Sequence, residues 1–308
     1  MSIWASFIST VVLAGTLRIG APLIIGALGG CFTYKAGTFF MGYEALMLTA
    51  AFFGTLGSYL TGNALAGILL GVITSMLLVA VFGWLVFMCG SNGIIISIAL
   101  NNGAWALTTF LLLKIFGVRG SFIDSRIVSF KTIHFPLPDK LKWINEVFND
   151  KIGIVYIALL LIVVCWFMIY RTPFGLRLRG IGINAKAAQS TGTNLTGYRW
   201  GSLLIMAAFC GVAGAEIPLS GISMFSENMT SGRGFLVMAA VLVGDGNPVK
   251  TGLIALLFAY TDALYLTFSS FHIPTQLLSM VPYLAVILVL VVSSMKKRGT
   301  RAVRLNEK

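Results

Sequence analysis

The stretch ALAGILLGVITSMLLVAVFGWLVFM, residues 64–88, contains no charged side chain from end to end. Apolar runs of about 18 residues or more are typical of helices that cross a lipid bilayer. Further candidate spans follow the same pattern along the chain, at residues 43–60, 93–116, 152–170, 200–220, 234–247, 250–270 and 276–294. The sequence therefore predicts an all-α fold, a polytopic transmembrane helix bundle of about 8–10 spans.

The overall composition agrees with a membrane protein. Of 308 residues, 57% are hydrophobic and only 10% are charged, whereas soluble domains carry roughly a quarter charged residues. A transmembrane β-barrel would show short alternating segments, and here the apolar runs are continuous. The net charge of +12 comes from basic residues beside apolar runs, which is a topology signal, so no nucleic-acid partner is expected.

Two regions do not fit a straight spanning helix. Residues 3–34 are apolar but are interrupted by Arg18, Gly20 and Pro22, which predicts a kinked helix or two short segments and leaves the side of the N-terminus open. The run 234–247 is short and ends in GDGNP. It predicts a broken or partly re-entrant helix, which a membrane protein tolerates only where protein or water shields the backbone.

The basic loops predict the orientation of a single transmembrane domain, residues 1–308. Residues 171–199 contain Arg171, Arg177, Arg179, Lys186 and Arg199 without an acid, and the tail 295–308 is also basic. Both segments are expected to be cytoplasmic under the positive-inside rule. The loop 117–151 lies one span before the first of them, carries mixed charges and two prolines, and is expected to form an ordered cap outside the membrane.

Several polar side chains interrupt the apolar runs: Glu44, Asn101, Asn102, Glu216 and Asp262. Ionisable groups at membrane depth are costly to insert, so each needs a partner or a function. One interpretation is a polar pathway through the bundle. The other is hydrogen bonding between helices that fixes their packing.

The sequence offers no catalytic or metal-binding arrangement. The two histidines, His134 and His272, are far apart and have no carboxylate or cysteine at a ligand spacing. The cysteines lie in or beside apolar runs and are expected to be small apolar fillers; they are Cys31, Cys89, Cys165 and Cys210. No phosphate-cradling Gly-rich motif is present, and the first residues lack the basic segment of a removable signal peptide. The chain is therefore not expected to be an enzyme.

One segment is more specific than composition. RTPFGLRLRGIGINAKAAQSTGTNLTGYRWGSLLIMAAFCGVAGA, residues 171–215, resembles the cytoplasmic region of ABC-importer permeases that serve branched-chain amino acids, ribose and nucleosides. The matching positions in its first part are Thr172, Gly175, Leu178, Arg179, Gly182, Asn184, Ala187, Ala188 and Gly192.

Three more stretches, residues 21–54, 229–264 and 278–291, are similar to the nucleoside and simple-sugar permeases of that family. In APLIIGALGGCFTYKAGTFFMGYEALMLTAAFFG (21–54), Phe40 replaces an Asn of the subgroup pattern, and its Glu-Gly becomes Glu44-Ala45. Because that Asn is expected near the substrate pathway, its replacement by Phe40 bears on the identity of the substrate more than on the fold.

The resemblance implies the membrane subunit of an ATP-driven importer in the bacterial cytoplasmic membrane. Its expected partners are two ABC ATPase subunits, a second permease chain, identical or homologous, and an extracytoplasmic substrate-binding protein or lipoprotein. The chain itself is expected to hold no cofactor, because ATP and Mg would be bound by the ATPases. The expected substrate is a nucleoside or a related small polar solute; a simple sugar or a branched-chain amino acid is the alternative.

The resemblance also implies roles for particular residues. Residues 182–191, GINAKAAQST, are expected to form a short coupling helix bracketed by Gly182 and Gly192, and the predicted ATPase-coupling residues are Arg179, Gly182, Asn184, Ala187, Ala188 and Gly192. The predicted substrate pathway comprises Phe40, Glu44, Asn101 and Asn102.

The rival function is an ion-coupled secondary transporter. It is expected to show inverted repeats and a paired acid–base site, and neither is apparent here. An intramembrane enzyme is disfavoured by the missing motifs, and a receptor or structural membrane subunit would not need the 171–215 pattern.

Overall fold

The structure is a computed structural model that describes residues 10–130, 132–133 and 151–268, together with the isolated positions 284, 287–289 and 291. The described helices are α1 (Thr10–Lys35), α2 (Tyr43–Thr61), α3 (Ala64–Phe87), α4 (Gly93–Phe116), α5 (Gly153–Arg171), α6 (Pro173–Ile183), α7 (Ala185–Ser190), α8 (Leu195–Leu219), α9 (Arg233–Val243) and α10 (Pro248–Phe268). Four short strands accompany them: β1 (Ser121–Ile123), β2 (Thr132–Ile133), β3 (Lys151–Ile152) and β4 (Met224–Ser226).

The first helix forms the centre of the bundle. Every residue of α1 from Gly20 to Thr33 is buried, and the helix packs against α5, α8, α9 and α10. The helix continues through Arg18, Gly20 and Pro22, so the prediction of two short segments is wrong. Proline removes one backbone donor, but the helices packed around this part of α1 hold it in place.

Two helices present purely apolar surfaces. The exposed residues of α3 are Leu65, Leu69, Ile73, Leu77, Val81 and Trp84. Those of α5, apart from Arg171 at its end, are Ile157, Leu160, Val163, Val164 and Phe167. Five described helices, α1, α3, α4, α5 and α8, are long and apolar enough to cross a membrane, which confirms a polytopic α-helical membrane protein.

Asparagine marks the start of five helices. The side chains of Asn63, Asn92, Asn184, Asn194 and Asn247 accept hydrogen bonds from backbone N–H groups two or three residues further on, at 2.9–3.1 Å. Such caps satisfy amide donors that have no partner within the helix. They explain why α8 begins at Leu195 and α10 at Pro248, earlier than the predicted boundaries of 200 and 250.

The short strands were not predicted. β1 pairs with β4, where Phe122 lies opposite Phe225, and β2 pairs with β3; both pairings are antiparallel. Strands of two or three residues are too short to show a period-2 pattern in the sequence. The β1–β4 pair joins the loop after α4 to the loop after α8 at one end of the bundle.

The described part of the predicted external loop is fixed to the end of α2. Arg126 lies over the ring of Tyr59, 4.2 Å from its centroid, and forms an ion pair with Asp124 at 3.0 Å. The hydrogen bond from Arg126 lowers the pKa of the Asp124 carboxyl below its usual value. Ser58 exchanges hydrogen bonds of 3.0 Å with the backbone of Val128. The rest of the 117–151 loop with His134, the span 276–294 apart from a few isolated positions, His272 and the tail 295–308 lie outside the described residues.

Candidate functional site

The basic segment 171–199 folds into two short helices at one end of the bundle. Thr172 caps α6 by accepting the N–H of Gly175 at 3.3 Å, and Pro173 occupies its first turn. The buried residues Leu178 and Ile181 anchor α6. Asn184 ends α6, through its N–H to Gly180 at 3.0 Å, and starts α7, through its side chain to Ala187 at 3.1 Å.

The contact of α6 with the end of α1 depends on Gly182. A Cβ atom at this position would lie 2.2 Å from the carbonyl oxygen of Lys35, which is closer than any real contact. Gly182 therefore lies within α6, three residues before α7 begins, and packs against α1. Gly192 does follow the short helix, at a φ of 78°.

The helix α7 is exposed along its whole length. None of its residues is buried; Ala187 is exposed and Ala188 is half-buried. Arg179 does not extend beside it, because its guanidinium lies over the Tyr170 ring at 5.0 Å and donates to the carbonyl of Gly175. A short, small-residue helix held out from the bundle is a surface on which another protein can dock.

The predicted pathway residue Glu44 is fully engaged by the start of α9. One carboxylate oxygen accepts the hydroxyl of Thr230 and the N–H of Gly232, the latter at 3.0 Å. The other oxygen accepts the N–H of Gly234 at 2.7 Å. Glu44 is 7% exposed, so this carboxylate joins the first turn of α2 to the start of a helix far away in sequence.

Glycine is required on the α9 side of this contact. A Cβ on Gly234 would lie 2.3 Å from the backbone nitrogen of Glu44, and Gly232 has a φ of 83°. The run 234–247 was predicted to be short and to be broken at GDGNP, and α9 has only 11 residues and ends at Val243. Its start, where the backbone of α2 approaches it, was not predicted.

Two more predicted pathway residues support the same region. Asn101 of α4 accepts the N–H of Ala45 at 3.0 Å and donates to the carbonyl of Met41 at 3.2 Å. Phe40 is 2% exposed and lies edge-on to Tyr43 and Phe82. In the isolated chain these residues hold the turn before α2 in place. This arrangement matches the second interpretation of the polar residues, in which they fix the packing of helices.

Asn102 lies about 100° around α4 from Asn101, and it is exposed. Further along α4, toward the β1–β4 end of the bundle, lies an open cavity of about 600 Å³, lined mainly by Trp105, Thr109, Phe110, Leu113, Arg119 and Glu227. The sequence prediction missed these residues. The pattern that could have indicated them is an aromatic residue, Trp105, and a hydroxyl residue, Thr109, which follow Asn102 by one and two helical turns.

The remaining acids lie near the α9 start. Asp262 pairs with Arg233 at 3.5 Å. Glu216 is 1% exposed, and one of its carboxylate oxygens has no hydrogen-bond partner within the described chain. Arg18 donates to the carbonyl of Ser220 at 2.9 Å.

Comparisons with known proteins agree on a single class. Residues 12–290 match the family described as branched-chain amino acid transport system / permease component. NupC of Lactococcus lactis subsp. cremoris, a nucleoside ABC transporter permease protein, is 28% identical over 291 residues, covering 91% of both chains. TsgC13 of Haloferax volcanii, which carries the name of a glucose ABC transporter permease, is 30% identical over 258 residues, covering 82% of this chain and 76% of TsgC13.

A solved structure of an inward-facing transporter, described as a metal-chelate type ABC transporter, has a similar fold. The TM-score is 0.51 at 16% identity, and the match covers 91% of this chain and 84% of that one. At this identity the likeness concerns the fold alone.

Proposed function

The chain belongs to the family of branched-chain amino acid transport system permease components, and from this premise we propose that it forms the membrane pathway of an ATP-driven nucleoside importer. The match to NupC extends over nearly the full length of both proteins, which supports a nucleoside as the substrate. The importer would operate in the bacterial cytoplasmic membrane.

The exposed helix α7 is the observation that carries the coupling part of this proposal. Two ABC ATPase subunits, which bind ATP and Mg, would dock on α7 of this chain and of a second permease chain. A force applied to α7 would reach α6 through Asn184, which caps the end of α6 and the start of α7. It then reaches α1 at the close contact between Gly182 and Lys35, and α1 packs against most of the bundle.

Alternating access would follow from the position of α1. Since α1 contacts α5, α8, α9 and α10, a small rotation at its Lys35 end would be passed to the helices of the second half of the chain. A substrate-binding protein or lipoprotein would deliver the solute at the opposite end, where β1 and β4 join two loops. These partners are implied by the family and by the geometry of the two ends.

A simple sugar is the second candidate substrate, because TsgC13 carries the name of a glucose permease. A nucleoside and a sugar share a ring with hydroxyl groups and differ in the aromatic base. Uptake assays distinguish them directly.

The test uses proteoliposomes that contain the complete complex of permease chains, ATPases and binding protein. We expect ATP-dependent uptake of tritiated guanosine and little uptake of glucose. If the complex prefers glucose, the substrate is a sugar and not a nucleoside. If it takes up neither solute, the proposed substrate is wrong. Ala187→Glu should abolish both uptake and the solute-stimulated ATPase activity while the chain still inserts.

Ala187→Ser is the matched control, because it keeps a small neutral side chain on the exposed face of α7. It should retain near-normal coupling. Solute-stimulated ATPase activity that is unchanged in Ala187→Glu would contradict the coupling role of this helix. Co-purification of the ATPase with each variant shows whether docking itself is lost.

A further inference from the structure

The exposed face of α4 differs from those of α3 and α5. The outer faces of α3 and α5 are apolar along the bundle, as expected for surfaces in contact with lipid tails. On α4 the exposed face includes Asn102 at its middle, and the cavity of about 600 Å³ opens on the next turns. A lipid tail cannot satisfy an amide at this depth, so this face is better suited to a polar solute and a second permease chain.

Thr109 adds a polar group to the wall of this cavity. The neighbouring Thr108 donates to the carbonyls of Ala104 and Trp105, at 2.9 and 3.0 Å, as hydroxyls within helices commonly do. The Thr109 hydroxyl oxygen is buried and has no hydrogen-bond partner within the described chain, although the residue lines the cavity. Buried hydroxyls are nearly always hydrogen-bonded. A threonine in a helix has two accessible χ1 rotamers, and a change of rotamer would turn this hydroxyl toward a molecule bound in the cavity.

The other residues that line the cavity fit a ligand with a flat aromatic ring and polar groups at its edge. Trp105 is 54% exposed and Phe110 is 61% exposed, and both line the cavity. Arg119 and Glu227 line it beside the β1–β4 pair, and Glu227 is held there by the N–H of Gly120 at 2.9 Å. Pockets for small molecules are commonly 300–1,000 Å³ and combine apolar walls with a few polar groups, which fits this cavity.

We propose that Trp105 and Thr109 form the contact that recognises the nucleobase of a nucleoside in transit. The indole ring stacks on the base, and the Thr109 hydroxyl hydrogen-bonds to the edge of the base or to the ribose. Asn102, one turn away from Trp105 on the same face, provides the next polar contact along α4. A second permease chain would close the open side of the cavity. This inference rests on the proposed nucleoside import and adds the residues that select the base.

The test compares two tryptophans of similar exposure. Trp105→Ala should lower kcat/KM for guanosine uptake by the complete complex roughly tenfold or more, within the range that base–aromatic stacking contributes. Trp105→Phe should restore most of the uptake. Trp84→Ala is the matched control, because Trp84 is 57% exposed on the apolar face of α3, and it should transport like the wild type.

A second pair isolates the hydroxyl. Thr109→Val removes the hydrogen-bonding group at nearly constant volume and should lower guanosine uptake, whereas Thr109→Ser keeps the hydroxyl and should preserve it. The yield of assembled complex should be the same in all five variants, and Trp84→Ala should also keep the basal ATPase activity of the wild type. If the wild type imports guanosine and Trp105→Ala behaves like Trp84→Ala, the inference is overturned and the proposed function stands. If the wild type imports no nucleoside, the proposed substrate fails first.

Discussion

The carboxylate of Glu44 accepts the backbone N–H of Gly234 at 2.7 Å, across 190 positions of sequence. The amides at the start of a helix have no partner within it, and inside a membrane protein water is not freely available to satisfy them. Here a side chain from α2 supplies the acceptors, and its negative charge lies at the positive end of the α9 dipole. This contact allows a helix of only 11 residues to begin inside the bundle.

Replacing Glu44 by glutamine should destabilise the protein. The amide NH2 would face donors that now point at carboxylate oxygens, so at least one hydrogen bond to the Thr230–Gly234 segment is lost. The expected cost is about 1–3 kcal/mol, seen as a lower thermal midpoint of the purified complex in detergent. Asp124→Asn, in the exposed loop, is the control and should change it little. An unchanged midpoint in Glu44→Gln with altered solute selectivity would instead support the pathway role.

The close approach at Gly234 makes a single methyl group costly. Gly234→Ala places Cβ 2.3 Å from the backbone of Glu44, which cannot move aside as a flexible side chain could. Its destabilisation should reach or exceed the roughly 1–3 kcal/mol typical of overpacking. Gly201→Ala in α8 is the control, since no atom lies within 4 Å of its added Cβ. The yield of monodisperse protein after size exclusion compares the two, and equal yields would contradict the requirement for glycine.

The α6–α1 contact predicts different outcomes for two glycines of one helix. Gly182→Ala would press against the carbonyl of Lys35, whereas Gly180→Ala meets open space. We expect Gly182→Ala to lower solute-stimulated ATPase activity several-fold through a displaced α6, and Gly180→Ala to leave it near normal. Equal stimulation in both variants would show that this contact does not transmit the coupling.

Asn101 and Asn102 should differ in their access to reagents. Asn101 is hydrogen-bonded to the start of α2, and Asn102 is exposed on the outer face of α4. In a Cys89→Ser background, needed because Cys89 is exposed, a maleimide should label Asn102→Cys faster than Asn101→Cys. Labelling of Asn102→Cys should also change when ATP is added to the complex. Similar slow labelling at both positions would place the α4 face in a closed contact.

Long apolar runs and helix caps account for most of the fold that could be predicted. The runs that became α2, α3, α4 and α5 were placed within one or two residues, because an unbroken span leaves few alternatives. The asparagine caps were present in the sequence and would have moved the starts of α8 and α10 to their observed positions. The end of α9 was predicted from the Gly and Pro of GDGNP, whereas its start was not.

The candidate site was harder to predict, because its partners are distant in sequence. Glu44 could be recognised from the sequence as an acid in an apolar run. The hydrogen bonds that it accepts from the N–H groups of Gly232 and Gly234, however, depend on how α2 packs against α9. Asn101 and Asn102 are adjacent in sequence, but only Asn101 is hydrogen-bonded to the start of α2 while Asn102 is exposed, and sequence patterns did not separate them. Gly182 was assigned to a helix end from its residue type, whereas its contact with Lys35 depends on how α6 docks.

The central position of α1 has a consequence for biogenesis. Ribosomes make this helix before α8 and α10, against which it packs over most of its length. When it first leaves the translocation channel, Arg18 and the small residues at Gly20, Gly26 and Gly29 face lipid, a protein channel or a chaperone in place of their final neighbours. The contacts of α1 in the native core are therefore completed only after α10 has been synthesised.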